Sequence, residues 1–491
     1  MKHTMILVAL IVALAQNMQA QAEFDVQRVA QNEIIGTARF IGMSGAFGSL
    51  GGDMSSLSIN PAGIGIYRSS ELSFSPSFQN AVSTSTLGTT TSNGTNLNLL
   101  VNGFGWVGTL STYDETSFAN INFGVTYHRV ADFNQKTNVI GMNMPVSVLD
   151  RMAQLENQGT GHSPFYDYAN ATKGIIVNGS SYVTPLTPGE TTNQDMQMSE
   201  SGGINAWDFT FGGNYSHSFY FGMGLGVKAV NYERSSSYVE TFENGGGIEL
   251  RNALTTTGAG LDFKAGFIVR PSQALRLGLS YTSSTIYTLT DAYQASMASE
   301  GLNGSGPDLS HIGSANYVDY VVKTPSKITV SGSYVFEKKG LISFDLDYSD
   351  YRNSILMNKD GFEIREINDF IQSDFKANYS FRLGGEFRVS DKLSVRAGGA
   401  WYPTTQVDNL EALDIATPNI RPEYSMLKDT WYYSGGLGYR ASNFFADVAV
   451  QEKISTEHFF NYFYQENNLR NDYASVSRKK LNLVLTCGLK F

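Results

Sequence analysis

His162-Ser163 and Asp167 are the residue types of a nucleophilic relay, and they lie close together in the sequence. A Ser-His-Asp relay works by convergence in space, so adjacency along the chain assigns no catalysis. His128, His217, His311 and His458 are scattered, without the spacing that metal ligation needs. Gly222, Gly224 and Gly226 alternate within an apolar run, which reads as strand and not as the strand–turn–helix of a phosphate-cradling loop. No enzymatic activity, metal or cofactor is expected. The chemistry that remains is binding. Val146, Leu149, Met152 and Leu155 recur at intervals of three behind Pro145, and Val148 broadens the stripe, which predicts an amphipathic helix. That stripe either captures a hydrophobic ligand or packs on neighbouring loops. Ile364, Ile367, Phe370 and Ile371 pose the same choice. Phe40, Ile41, Met43 and Phe47 are candidates for an apolar pocket floor, with packing of their own segment as the alternative.

The bulk composition says what must position these residues. Among 491 residues there are 49 Gly, 30 Phe and 27 Tyr, and only 16% are charged. Soluble domains run near 25% charged. Few charges and many aromatics fit strands with one apolar and one polar face. A net charge of −10 offers no basic stripe for phosphates, so nucleic acid is not an expected partner. Lys2 and His3 precede an apolar run from Met5 to Ala15, and Ala20-Gln21-Ala22 is a small-residue cleavage site. Residues 1–22 therefore read as a secretory leader, too short to span a membrane. The single cysteine, Cys487, forms no intramolecular disulfide.

The end of the chain is a strand. Leu481, Leu483, Leu485, Cys487, Leu489 and Phe491 share one face, and Asn482, Val484, Thr486 and Lys490 share the other. The pattern recurs upstream: Leu261, Phe263 and Phe267 oppose Asp262 and Lys264, and Ile342, Phe344 and Leu346 oppose Ser343, Asp345 and Asp347. Short connections such as Ser216-His217-Ser218 and Ser390-Asp391-Lys392 alternate with long ones such as Asp132–Ile204, Ser235–Leu254 and Arg352–Asn378. Short periplasmic turns alternating with long external loops is the plan of an outer-membrane barrel. Strand starts near Glu71, Leu99, Phe118, Asn205, Phe219, Thr255, Gln273, Tyr320, Leu341, Asn378, Lys392, Thr430, Asn443 and Lys479 give an antiparallel barrel of about 14 strands, an even number as such barrels require. The barrel is assigned to residues 69–491. The Gly-rich segment 23–68 lies outside the wall and is expected to fill the lumen. Asp262, Lys264, Arg276, Asp345, Asp347, Arg382, Glu386, Arg388 and Arg396 are expected to form an inward network that reaches Arg39 or Asp53, and an arginine among them suits a carboxylate.

"TARFIGMSGAFGSLGGDMSSLSINPAGI", Thr37 to Ile64, resembles the N-terminal hatch of the FadL-type long-chain fatty acid transporters. The matching features are Ala38-Arg39, Gly45-Ala46, Asp53 and Asn60-Pro61-Ala62. Lys323–Phe336 and Lys392–Thr405 resemble later strands of the same family. The resemblance implies a 14-stranded barrel plugged by a hatch, in the outer membrane of a Gram-negative bacterium. It implies passive uptake: a hydrophobic small molecule is captured outside, enters a pocket above the hatch and leaves sideways into outer-membrane lipid. The terminal Phe491 resembles the signal read by the barrel-assembly machinery, and the chain is expected to be a monomer. The alternative is a structural or adhesive barrel without specific transport.

Overall fold

The computed structural model describes residues 23–111, 118–158, 166–302, 309–337, 339–407, 422–466 and 469–491. The expected leader at 1–22 and the pair His162-Ser163 lie outside them; Asp167 is exposed. Alternating apolar and polar residues favour extended chain, and lipid offers no partner for an open edge, so the strands close on themselves. Numbered along the wall they are β1 Glu71–Leu87, β2 Thr90–Ser111, β3 Phe118–Asp132 continuing as Gln135–Met144, β4 Thr192–Tyr215, β5 Phe219–Phe242, β6 Gly247–Val269 and β7 Leu275–Thr282 with Ile286–Glu300. The second half comprises β8 Asn316–Lys323 with Lys327–Phe336, β9 Gly340–Asp350, β10 Ala377–Arg388, β11 Leu393–Tyr402, β12 Tyr424–Arg440, β13 Phe444–Phe460 and β14 Ala474–Lys490. Neighbours pair antiparallel, and β14 returns to β1 with Glu71 opposite Lys490, which closes the 14-stranded barrel. Leu261, Phe263, Leu277, Phe344 and Leu383 stand outward and exposed, while Asp262, Lys264, Asp345 and Arg382 are buried inside.

Several strands run further than the alternation suggests. β4 begins at Thr192 instead of Asn205, and β5 and β6 meet in a tight turn where a loop from Ser235 to Leu254 is expected. The reason is solvent. Toward the external ends the outward face carries polar Asn193, Asp195 and Gln197, while Gln194, Met196 and Met198 are buried inside. An apolar-outward pattern cannot mark such segments.

Residues 23–67 lie in the lumen as α1 Glu23–Ala30, α2 Ala38–Gly42 and two 3-10 turns, Met54–Ser58 and Pro61–Ile66. Each turn has a polar cap that satisfies a free backbone N–H. Asp53 accepts from Ser55 N at 2.9 Å, and Asn60 accepts from Ala62 N at 3.0 Å with Pro61 in the first position. Small wall residues let this segment seat. Gly222 and Gly266 face each other across β5 and β6, and a Cβ on them would lie 2.3 Å from Pro61 O and 2.2 Å from Asn60 Oδ1. Gly222 is therefore the imprint of the plug, whereas Gly226 in the same alternation makes room for the carboxylates of Asp208 and Asp262.

The three largest apolar clusters among the described residues bracket the plug. Phe40, Ile41, Met43, Phe47 and Leu50 pack on Ala400, Tyr432, Ala449 and Val484 of β11–β14. Val26 and Val29 of α1 join Ile364, Ile367 and Ile371, which lie on or beside α4, Arg365–Asp374. At the external end Val146, Leu149 and Met152 belong to a third cluster, closed by α3, Val148–Asn157.

Candidate functional site

The wall is unzipped at one seam. The β2–β3 ladder runs from Ser111 opposite Asn120 to Gly103 opposite His128 and stops. Beyond it Thr90–Val101 pair with β1 alone, while β3 stays with β4 through Asp132 opposite Gly203 and on to Gln135 opposite Glu200. A bulge between Arg129 and Ala131, followed by the break at Phe133-Asn134, carries β3 inward. Its second half crosses the lumen side of the β1–β2 hairpin. Ser83 Oγ donates to Lys136 O at 2.5 Å, Ser92 Oγ to Asn138 O at 2.6 Å, and Asn138 Nδ2 to Asn93 O at 2.8 Å. A ladder is thus replaced by a few side-chain bonds.

Two cavities adjoin this seam. The larger, about 280 Å³, is bounded by α1, the link Gln31–Glu33, and lumen residues including Phe133, Tyr232 and Phe459. Four ion pairs stand in its lining: Arg234 with Glu423, Arg478 with Glu457, Lys453 with Glu33, and Lys480 with Asp132 at 3.1 Å. The smaller, about 110 Å³, lies between Val29, Ile34, Phe40 and Ile59 of the plug and His128, Lys264 and Arg382 of the wall. Asn32, Glu33, Tyr351, Asn378, Ser380 and Tyr402 line both.

Glu33 joins these features. Its N–H donates to Val130 O at 3.0 Å, its Oε2 accepts from Asp132 N at 3.2 Å, and its Oε1 takes Lys453. The plug is thereby tied to β3 at its kink. Burial drives the Glu33 carboxyl upward, and Lys453 and Lys480 outweigh that and hold it below the usual carboxylate range. Glu33 and its lysines carry no motif. The hint in the sequence is that Lys453 and Lys480 each fall on the lumen parity of a strand. Their direct opposition appears only in the register, and like charges facing each other need an acid.

The expected inward network is present and reaches the plug. Arg39 Nε bonds Glu386 at 3.0 Å, Glu386 bonds Arg396 at 2.6 Å, and Arg396 bonds Asp447 at 2.6 Å. Asp345 accepts from Phe47 N and Gly48 N, each at 3.0 Å, and from Arg382 at 3.2 Å. Arg276 donates to Leu50 O at 3.0 Å. Asp53 stays within the plug, taking Thr37 Oγ1 at 2.8 Å, and burial pushes its carboxyl above the usual range despite Arg39 nearby. Arg388 departs from the expectation. It is exposed beside the turn Ser390–Lys392, where β10 leaves the lumen.

The apolar candidates divide by place. Phe40 lines the smaller cavity, Ile41 lines a separate void of about 10 Å³, and Met43 and Phe47 are packed between plug and wall. Val146, Leu149 and Met152 are fully buried at the external end, and Leu155 is half-buried. Their segment is held by Val148 N donating to Glu240 Oε1 at 2.9 Å and by Tyr462 OH donating to Val146 O at 2.6 Å. Asn60 also donates to Gly48 O at 2.7 Å, so Asn60, Pro61 and Ala62 form a braced corner of the plug.

Residues 206–482 match the family described as outer membrane protein transport protein (OMPP1/FadL/TodX). No curated protein matches the sequence. Among solved structures, a Pseudomonas aeruginosa FadL homologue is similar with a TM-score of 0.54 at 14% identity, over 94% of this chain and 100% of that one. The P. putida toluene transporter TodX is similar with a TM-score of 0.53 at 12% identity, over 94% and 99%. At such identities the structural likeness speaks for the fold, and the family match spans more than half of the sequence. This barrel, set in the outer membrane of a Gram-negative bacterium, belongs to the outer-membrane transport protein family of OMPP1, FadL and TodX.

Proposed function

We propose that the protein takes up hydrophobic small molecules passively, receiving them at the external mouth, passing them through the two cavities and releasing them sideways into the membrane between β2 and β3. The observation that carries the reading is the unzipped seam. An intact ladder leaves no lateral way out, whereas here Thr90–Val101 have no ladder partner on the β3 side. Leu97 and Leu99 stand on the adjoining outward face at 74% and 70% exposure. In this reading Val146, Leu149, Met152 and Leu155 form an apolar lid that parts to admit the molecule, and Phe40, Ile41, Met43 and Phe47 form the floor. A cavity that sets Phe24, Phe133 and Tyr232 beside paired charges suits a long chain with a polar head better than bare hydrocarbon. Long-chain fatty acids are the first substrates to test, with toluene as the neutral comparison.

The test is a lock across the seam. Ser92 Oγ donates to Asn138 O and Asn138 Nδ2 to Asn93 O, so paired cysteines at Ser92 and Asn138, in a Cys487→Ser background, are set to test a bridge from β2 to β3. Oxidised protein is expected to lose most uptake of a labelled fatty acid and to regain it on reduction. Equal uptake in both states would sink the lateral route.

A further inference from the structure

The short turns at the periplasmic rim set cations against each other. Gly340 stands opposite Phe387, which puts Lys339 opposite Arg388, and Arg388 N donates to Lys339 O at 2.8 Å. Leu393 stands opposite Tyr439, which puts Lys392 opposite Arg440, and Arg440 N donates to Lys392 O at 2.8 Å. The turn between β10 and β11 joins the two pairs, closed by Val389 N donating to Leu393 O at 2.9 Å. Four cations thus follow one another across the ends of β9, β10, β11 and β12. Like charges directly opposed destabilise a sheet.

One of the four is answered from within the barrel. Arg440 has Asp447 at 3.5 Å. Among the described residues no carboxylate oxygen lies within 4.0 Å of the charge on Lys339, Arg388 or Lys392. Glu337 and Asp391 stand on the same turns, exposed, and pair with none of them. The three cations are exposed as well. The chain carries a net charge of −10, so this basic row is a local feature that composition does not supply.

The neighbours of these cations say what meets them. Phe387 precedes Arg388, Leu393 follows Lys392, and Val389 stands at the turn itself. Phe336, at the adjoining end of β8, completes the patch. All four are apolar, on the outward parity, and exposed over half or more of their surface. Outward apolar residues this close to the turn bring the lipid boundary down to the level of the cations. Long basic side chains at such a boundary lay their stems on apolar surface and turn their charges to the headgroups. An arginine and two lysines suit the oxygens of a phosphate. We propose that Lys339, Arg388 and Lys392 hold the headgroup of an anionic phospholipid of the periplasmic leaflet, with its acyl chains against Phe336, Phe387 and Leu393. The site lies outside the lumen and does not depend on uptake or on the lateral route.

The test uses the purified full barrel in detergent. Phosphatidylglycerol and phosphatidylethanolamine with matched chains are titrated in, and bound lipid is counted by native mass spectrometry. A cation beside an anionic lipid changes affinity about fivefold. Phosphatidylglycerol is therefore expected to bind well ahead of phosphatidylethanolamine, and Lys392→Gln to weaken it about fivefold. The triple variant Lys339→Gln, Arg388→Gln, Lys392→Gln should bring it down to the level of phosphatidylethanolamine. The charge-keeping triple variant Lys339→Arg, Arg388→Lys, Lys392→Arg should retain the preference, as should Arg352→Gln at the external end. In solution, phosphatidylglycerol should raise the temperature at which heat-modifiable gel mobility is lost, in the unmutated barrel and not in the triple glutamine variant. That mobility also checks that each variant assembles. Equal binding of the two lipids, or an unchanged preference in the triple glutamine variant, overturns the site. Displacement of the lipid by an equal concentration of glycerol 3-phosphate would identify a site for soluble phosphate and overturn the lipid as its occupant.

Discussion

Glu33 shows how much one plug residue carries. Lys453 and Lys480 oppose each other across β13 and β14, and the acids that neutralise them come from outside that pair: Glu33 from the plug and Asp132 from β3. Removing Glu33 strands a buried cation, a loss on the order of 3–5 kcal/mol. Glu33→Gln is therefore expected to loosen the plug at neutral pH, seen as frequent ion-conducting openings in planar-bilayer recordings where the unmutated protein stays closed. The pH dependence has a definite sign. A carboxyl lowered by folding contributes its full stabilisation above the unfolded value of 4.5 and loses it as pH falls through the lower folded value. The unmutated protein should open by this route only below pH 4.5, and indistinguishable traces at pH 7 would remove Glu33 as a latch. Cys487 gives a second test at this scale. It is exposed on the same outward parity as Leu485 and Leu489, against lipid. A thiolate is disfavoured there, so a charged maleimide should label the folded protein in membranes slowly and the denatured protein fully. Rapid labelling of the folded form would reverse the register of β14.

At the scale of elements, the plug and the wall are cut to fit each other. The Asn60-Pro61-Ala62 corner sits where Gly222 and Gly266 leave room, and Met43 O lies where Cβ atoms on Gly384 and Gly398 would fall, at 2.5 and 2.8 Å. Gly222→Val forces a side chain into Pro61 O, which is backbone and cannot swing aside. A loss of about 1–3 kcal/mol is expected from such overpacking. It should appear as a lower thermal midpoint with barrel assembly intact, and an unchanged midpoint would show that the corner moves freely. Deleting residues 24–67 removes the plug entirely. The wall's ladder does not run through that segment, so the shortened protein should still assemble and should conduct ions several-fold more than the intact one. Equal conductance would mean that the segment does not obstruct the lumen.

For the whole molecule, closure replaces cross-links. With one cysteine there is no intramolecular disulfide, and the ring of ladders from β1 back to β1 supplies the stability. Folded and boiled samples should therefore migrate differently in detergent gels, with the protein recovered in the outer-membrane fraction. Recovery as a soluble periplasmic species would contradict the architecture. The β2–β3 seam interrupts that ring. It is the stretch where a strand leaves its neighbour and the plug takes over part of the holding, through Glu33 at Val130 and Asp132.

Period-two alternation, the spacing of turns and the Asn-Pro corner were enough to determine a 14-stranded barrel, its inward and outward parities and a segment left over to fill it. These are local properties: a side chain's face follows from its place along a strand, and lipid demands apolar residues on the outer one. The external ends were not legible, because strands continuing into water lose that demand, as Thr192–Gly203 of β4 does. Tertiary structure alone decided which strands part and which charges meet. Lys453 opposes Lys480 through register, and Glu33 reaches Lys453 across a sequence separation of 420 residues. Such pairings depend on where distant segments come to rest in a closed lumen, and no local pattern in the chain records that.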